Sequence, residues 1–208
     1  MTMQAINEWG WNTDTSCVTK PRGTVARLNC TKGNARIVSE APIYLPGTTI
    51  KIVLRGAPAM DPRVDKGVWA MFCDEKGLET RQELDLLELS RFGNPLNHSG
   101  WINYHEISGE KFDMHGFDAG AYDEYEIRTE FRFDAFGWLE WTTIVTSGDA
   151  VLCVKTYAAE VPHYGNLKIG CFAMLNEDGV REFGFHRVAD RGSLFIDVKS
   201  VEITRPTK

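Results

Sequence analysis

The stretch Arg81-Gln82-Glu83-Leu84-Asp85-Leu86-Leu87-Glu88-Leu89 sets three carboxylates among four leucines. On an extended strand successive side chains alternate, so Glu83 and Asp85 share a face and strict alternation sends Glu88 to the other. One extra residue at Leu86-Leu87, a β-bulge, returns Glu88 to the face of the other two acids. The α-carbons of Glu83 and Glu88 then lie ~13 Å apart along the strand. Glutamate side chains reaching inward close the carboxyl groups to roughly 5–6 Å, the spacing at which one carboxylate attacks an anomeric carbon and another protonates the leaving oxygen with net retention. Crowding also drives carboxyl pKa values apart, which keeps one of them protonated near neutral pH. Read as a helix, the same residues form an amphipathic turn with its acids toward water. Against that stand the surroundings and the apolar run Gly67-Val68-Trp69-Ala70-Met71-Phe72 just upstream.

Those surroundings carry almost no helical periodicity. Tyr125, Ile127, Phe131 and Phe133 alternate with Glu126, Arg128, Glu130 and Arg132, a period of two. Ile50, Ile52 and Leu54 fall on one face of Thr48 to Leu54. Further strands are expected at 23–30, 35–39, 68–73, 138–145, 150–157, 167–174 and 193–204, with a turn at Pro46-Gly47 and loops at 56–66, 92–100 and 113–123. Turn signals recur at short intervals with no helix-length insertion, which predicts an all-β, antiparallel β-sandwich or barrel rather than βαβ units. No repeat or linker divides the chain, so a single domain is expected over 1–208.

The 208 residues carry 23 Lys+Arg against 29 Asp+Glu, a formal charge of -6. A basic footprint for nucleic acid or an anionic membrane is missing, and there is no apolar run long enough to span a bilayer. The first nine residues have no basic or apolar leader. The protein is therefore expected to be cytoplasmic, or secreted if the chain is a mature form. Cys17, Cys30, Cys73, Cys153 and Cys171 have no metal-ligand spacing and read as buried thiols. The five histidines have no zinc-binding pairing.

Several blocks then resemble one family in its own order. Glu83-Leu84-Asp85-Leu86-Leu87-Glu88 resembles the E-x-D-x-x-E signature of glycoside hydrolase family 16 in its bulged, laminarinase-like form. Gly67 to Cys73 resembles the G-x-W-P-A-x-W strand before that signature. Gly100-Trp101-Ile102-Asn103-Tyr104-His105 resembles the strand closing the cleft beside it. Phe133 to Trp141 resembles F-H-x-Y-G-x-E-W with one residue inserted, and Leu194 to Val201 resembles the final strand, V-D-W-V-R-V. The resemblance implies a concanavalin A-like jelly roll and an endo-acting enzyme cleaving β-1,3 or β-1,3/1,4-glucan, with no cofactor required for catalysis. It implies Glu83 as nucleophile, Glu88 as acid/base and Asp85 between them. It also sets Asp197 where some members hold a structural calcium. The sequence departs from the pattern at Ala70, Met71 and Cys73, the last of which replaces a cleft tryptophan.

Sugar rings stack on flat aromatic faces, and candidates for that work are Trp69, Trp101, Phe92, Tyr104 and Trp138, with Trp69 and Trp101 foremost because they flank the acids. Asn94, Asn103 and His105 could hydrogen-bond sugar hydroxyls, and His105 serves equally well as a core histidine. The expected partner is a polysaccharide or oligosaccharide met by a monomer. A non-catalytic carbohydrate-binding or lectin-like sandwich, or a structural assembly protein, fits the same elements.

Overall fold

The alternation from Tyr125 to Phe133 forms β12 (Glu124–Phe133), and burial follows its period of two. Tyr125, Ile127, Thr129 and Phe131 are buried, while Glu124, Arg128, Glu130 and Arg132 face water. The computed structural model describes residues 2–5, 18–29, 35–57, 65–73, 79–90, 99–101, 104–107, 110–111, 124–172 and 195–205. Among these there are strands and turns and no helix.

Two antiparallel sheets result. In one, β14 (Ala150–Ala159), β13 (Leu139–Ser147), β12, β6 (Thr49–Ala57), β16 (Phe195–Thr204), β3 (Ala26–Asn29) and β2 (Val18–Thr19) lie side by side in that order. The other runs β1 (Met3–Ala5), β4 (Ala35–Ser39), β15 (Tyr164–Phe172), β7 (Asp65–Cys73), β8 (Glu79–Ser90), β10 (Tyr104–Ile107) and β11 (Glu110–Lys111). Two short strands join it, β5 (Ile43–Tyr44) on β15 and β9 (Ser99–Trp101) on β8. A single core draws on both sheets: Ile37, Leu84, Leu86, Leu87, Leu167 and Ile169 from the second meet Ile52, Leu54, Tyr125, Ile127, Trp141 and Val198 from the first. Trp141 is fully buried and stacks on Tyr157. Thr129 and Thr143, buried opposite one another on β12 and β13, share a hydroxyl–hydroxyl hydrogen bond of 2.9 Å.

The chain passes from one sheet to the other through Pro46-Gly47. Thr48 N donates to Leu45 O at 2.8 Å, and Gly47 has φ 75°. This is a type II turn, with proline setting its second position and glycine accepting the left-handed third. The segment 133–141 bends at Asp134, whose Oδ1 accepts from the Phe136 and Trp138 backbone amides at 2.8 and 2.9 Å. The block that resembles one contiguous family motif thus spans a hairpin. Where the sequence predicts a loop over 56–66, β6 extends to Ala57 and β7 begins at Asp65, and residues 58–64 lie outside the described residues. Cys153 on β14 is a free, half-buried thiol, and desolvation pushes its pKa up, away from thiolate reactivity.

Leu86 and Leu87 are adjacent in sequence yet both fully buried, so each fills core volume. Leu86→Ala and Leu87→Ala should each cost about 2–5 kcal/mol in urea unfolding. Val151→Ala, at an exposed position on the edge strand β14, should stay within about 0.5 kcal/mol. Equal costs at all three sites would contradict this packing.

Candidate active site

Residues 79–90 form an extended strand, which excludes the helical reading of the acidic stretch. Its pairing with β7 carries a register shift where the sequence calls for one. Asp85 faces Trp69 and Leu87 faces Val68, leaving Leu86 as an extra residue between two consecutive partners. In a bulge of this kind the doubled residues turn to the same side. The burial of both Leu86 and Leu87 agrees, and Leu84 is buried with them. Positions 83, 85 and 88 consequently fall on the opposite side of the strand from the leucines.

Directly paired residues of a ladder share a face, so the register builds rows across this side of the sheet. Glu88 lies between Gly67 and Trp101, Asp85 between Trp69 and Tyr104, and Glu83 between Met71 and Glu106. Trp69 and Trp101 thus hold positions beside the acids, and so does Tyr104. His105 pairs with Leu84 and shares the core-facing phase of that leucine. That register sets position 105 apart from positions 83, 85 and 88. Trp138 belongs to the β12–β13 hairpin of the other sheet, so it is no part of this face. Phe92, Asn94 and Asn103 lie outside the described residues.

Three positions on this side were missed by sequence reasoning. Glu106 is a fourth acid, legible in principle from the alternation of Tyr104 and Glu106. The other two are cations. Lys168 pairs with Trp69 in the row of Asp85, and Arg36 pairs with Gly170, which pairs with Gly67 in the row of Glu88. Both side chains are buried although they stand opposite the core-facing Ile37, Leu167 and Ile169 phase.

Asp197 lies on the other sheet. It pairs across β16 and β3 with Arg27, whose Nε and Nη2 donate to Oδ1 and Oδ2 at 2.6 and 2.8 Å. The same guanidinium sits 3.9 Å from the centre of the Phe195 ring. Calcium takes six to eight oxygen ligands, whereas both Asp197 oxygens are already engaged by a cation. Among the described residues no group of three or more His, Cys, Asp or Glu is arranged around a common point. These residues do not fit the calcium ion that the resemblance implies.

No protein-family model and no curated protein matches the chain. Solved structures do. A Bacillus licheniformis β-glucanase superposes with TM-score 0.64 at 12% identity, over 98% of this chain and 92% of that one. A Bacteroides ovatus glycoside hydrolase family 16 protein, in complex with a mixed-linkage glucan product, gives 0.60 at 10% identity over 98% and 94%. A legume lectin-like domain from Entamoeba histolytica gives 0.58 at 8% identity over 99% and 91%. The chain therefore has the jelly-roll sandwich fold of family 16 glucanases, in divergent form, and lectin-like domains share that fold.

Two outcomes test the site's construction. Deleting Leu86 removes the extra residue and leaves plain alternation, with Leu84 and Leu87 toward the core and positions 83, 85 and 88 still together on the other side, so urea unfolding should show a loss comparable to that of Leu86→Ala. A much larger loss, as burying a carboxylate brings, would contradict the bulge. Separately, Asp197→Ala should cost roughly 2 kcal/mol for a lost charge-assisted pair, while neither calcium nor a chelator moves the wild-type thermal midpoint. A calcium-dependent midpoint would overturn the Arg27 assignment.

Proposed function

We propose that the protein is a retaining, endo-acting glycoside hydrolase of β-linked polysaccharide, with β-1,3 or mixed β-1,3/1,4-glucan as substrate. Glu83 attacks the anomeric carbon while Glu88 donates its proton to the leaving glycosidic oxygen. Glu88, now ionised, takes a proton from water as the water attacks the glycosyl–Glu83 ester, which restores both residues. Asp85 stands between them and holds the nucleophile. Each step uses carboxyl groups and water alone, so the scheme calls on no redox cofactor or catalytic metal. The observation that carries this reading is the extra residue at Leu86, which gives three acid positions one side of a strand whose leucines fill the core. Two tryptophan positions flank them, as a groove for sugar rings requires. The fold supports the reading as well, since its solved counterparts include a β-glucanase and a protein holding a mixed-linkage glucan product.

A second reading keeps the groove and drops the chemistry. It is favoured by the likeness to a lectin-like domain and by Cys73, which stands where the family pattern has a cleft tryptophan. Reducing-end release from lichenan and laminarin separates the two. Glu83→Gln and Glu88→Gln should each lower the rate about 10²–10⁴-fold, with the unfolding midpoint nearly unchanged, and proton NMR should show the β-anomer formed first. Glucan binding by the wild-type protein with no release of reducing ends would establish the lectin-like reading instead.

A further inference from the structure

The fold brings together two tyrosines that lie far apart in the chain. Tyr44 on β5 and Tyr164 at the start of β15 are direct ladder partners, with ring centroids 5.1 Å apart and planes inclined at 55°. Their neighbours Ile43 and Gly165 form the next pair and take the core-facing phase, Ile43 being buried. Tyr44 and Tyr164 therefore occupy the side of the sheet that carries the acid positions. Counting two residues along the strand and two strands across, Tyr164 lies about 12 Å from Glu83 at the backbone, and Tyr44, one strand farther, about 16 Å. Core packing does not account for Tyr44: Ile43 fills the core there, while Tyr44 is 42% exposed.

Tyr44 is also fixed in place. His163 meets its ring edge-on at 6.5 Å and 87°, and Phe133 meets His163 in turn at 5.0 Å and 78°. The backbone on either side is tied down, with Thr48 Oγ1 donating to Tyr44 O at 2.7 Å and Leu45 N to His163 O at 2.8 Å. A half-exposed aromatic ring held from behind binds a flat ligand with little loss of freedom. Its chemistry selects the ligand: an apolar face bordered by a phenolic hydroxyl matches a pyranose ring, which presents C–H groups on its faces and hydroxyls at its rim.

Building on the hydrolase reading, we propose that Tyr44 and Tyr164 form an aromatic platform that receives a pyranose ring of the bound β-glucan, remote from the cleaved bond. The substrate is then a chain long enough to reach from the acids to this corner of the sheet.

The test uses binding, so it does not depend on turnover. In a Glu88→Gln background, Kd for barley mixed-linkage β-glucan is measured by affinity electrophoresis. Tyr44→Ala should raise it about tenfold, Tyr44→Trp should restore it, and Phe136→Ala should leave it unchanged. Phe136 is 84% exposed on the hairpin of the other sheet. If the parent binds the glucan and Tyr44→Ala binds it equally well, the platform is overturned while the hydrolase reading is untouched. If binding depends on Tyr44 but wild type releases no reducing ends, the platform stands and the hydrolase reading falls. Self-association abolished by Tyr44→Ala with glucan affinity unchanged would overturn the platform and give the ring pair to a second copy of the chain.

Discussion

One constraint governs β8: a single strand must bury leucines on one side and carry carboxylates on the other, and a regular strand cannot do so with this sequence. Uninterrupted alternation after Leu84 and Leu86 would leave Leu87 on the side of the acid positions and drive Glu88 into the core, at a desolvation cost of several kcal/mol. The extra residue resolves the conflict in both directions, since Leu86 and Leu87 both fill the core and position 88 rejoins 83 and 85. Hydrophobic burial therefore sets the register, and the arrangement of acids follows from it. The leucines enforce the geometry on which any chemistry at this strand depends.

Register then propagates sideways. Once β8 is fixed against β7, the ladder decides which residue of every other strand shares a row with each acid. Asp85 falls in line with Trp69 and Lys168, and Glu88 with Gly67, Gly170 and Arg36. Two adjacent glycines in one row leave that part of the sheet without side chains, which lets a ligand or a long neighbouring side chain come close to the backbone. A chain with a formal charge of -6 has placed two of its basic residues, both buried, on the side where its acids gather. On the opposite sheet Arg27 and Asp197 face each other across β3 and β16 as an ion pair.

The legible part of this molecule was the part written within single strands. Tyr125 to Phe133 shows its faces by alternation, Pro46-Gly47 shows its turn, and the doubled leucine shows the bulge. Pairing between distant segments has no such local signal. β15 lies between β4 and β7, so Tyr164 meets Tyr44 and Lys168 meets Trp69. Nothing in either segment alone announces those neighbours. His105 illustrates the same point, since its residue type suggested a sugar ligand and only its partner Leu84 reveals the phase it takes. The hairpin at Asp134 was hidden by a motif match running across it, although Asp and Gly three residues apart were a turn signal in their own right.

Fold alone does not divide an enzyme from a lectin here, because glucanases and a lectin-like domain share this sandwich. The energetics of the acid face offers a physical basis for choosing. Carboxylates held on one side of one strand repel each other, and the ladder sets Glu106 beside Glu83 as well. A groove that only binds neutral sugar gains nothing from that repulsion, since amide or hydroxyl side chains would supply hydrogen bonds without it. A groove that cleaves a glycosidic bond gains directly, because crowding separates the pKa values so that one acid holds a proton while its neighbour stays ionised. An irregular strand that keeps three acid positions on one side thus carries an electrostatic cost, and the proposed hydrolase is the reading that puts that cost to use.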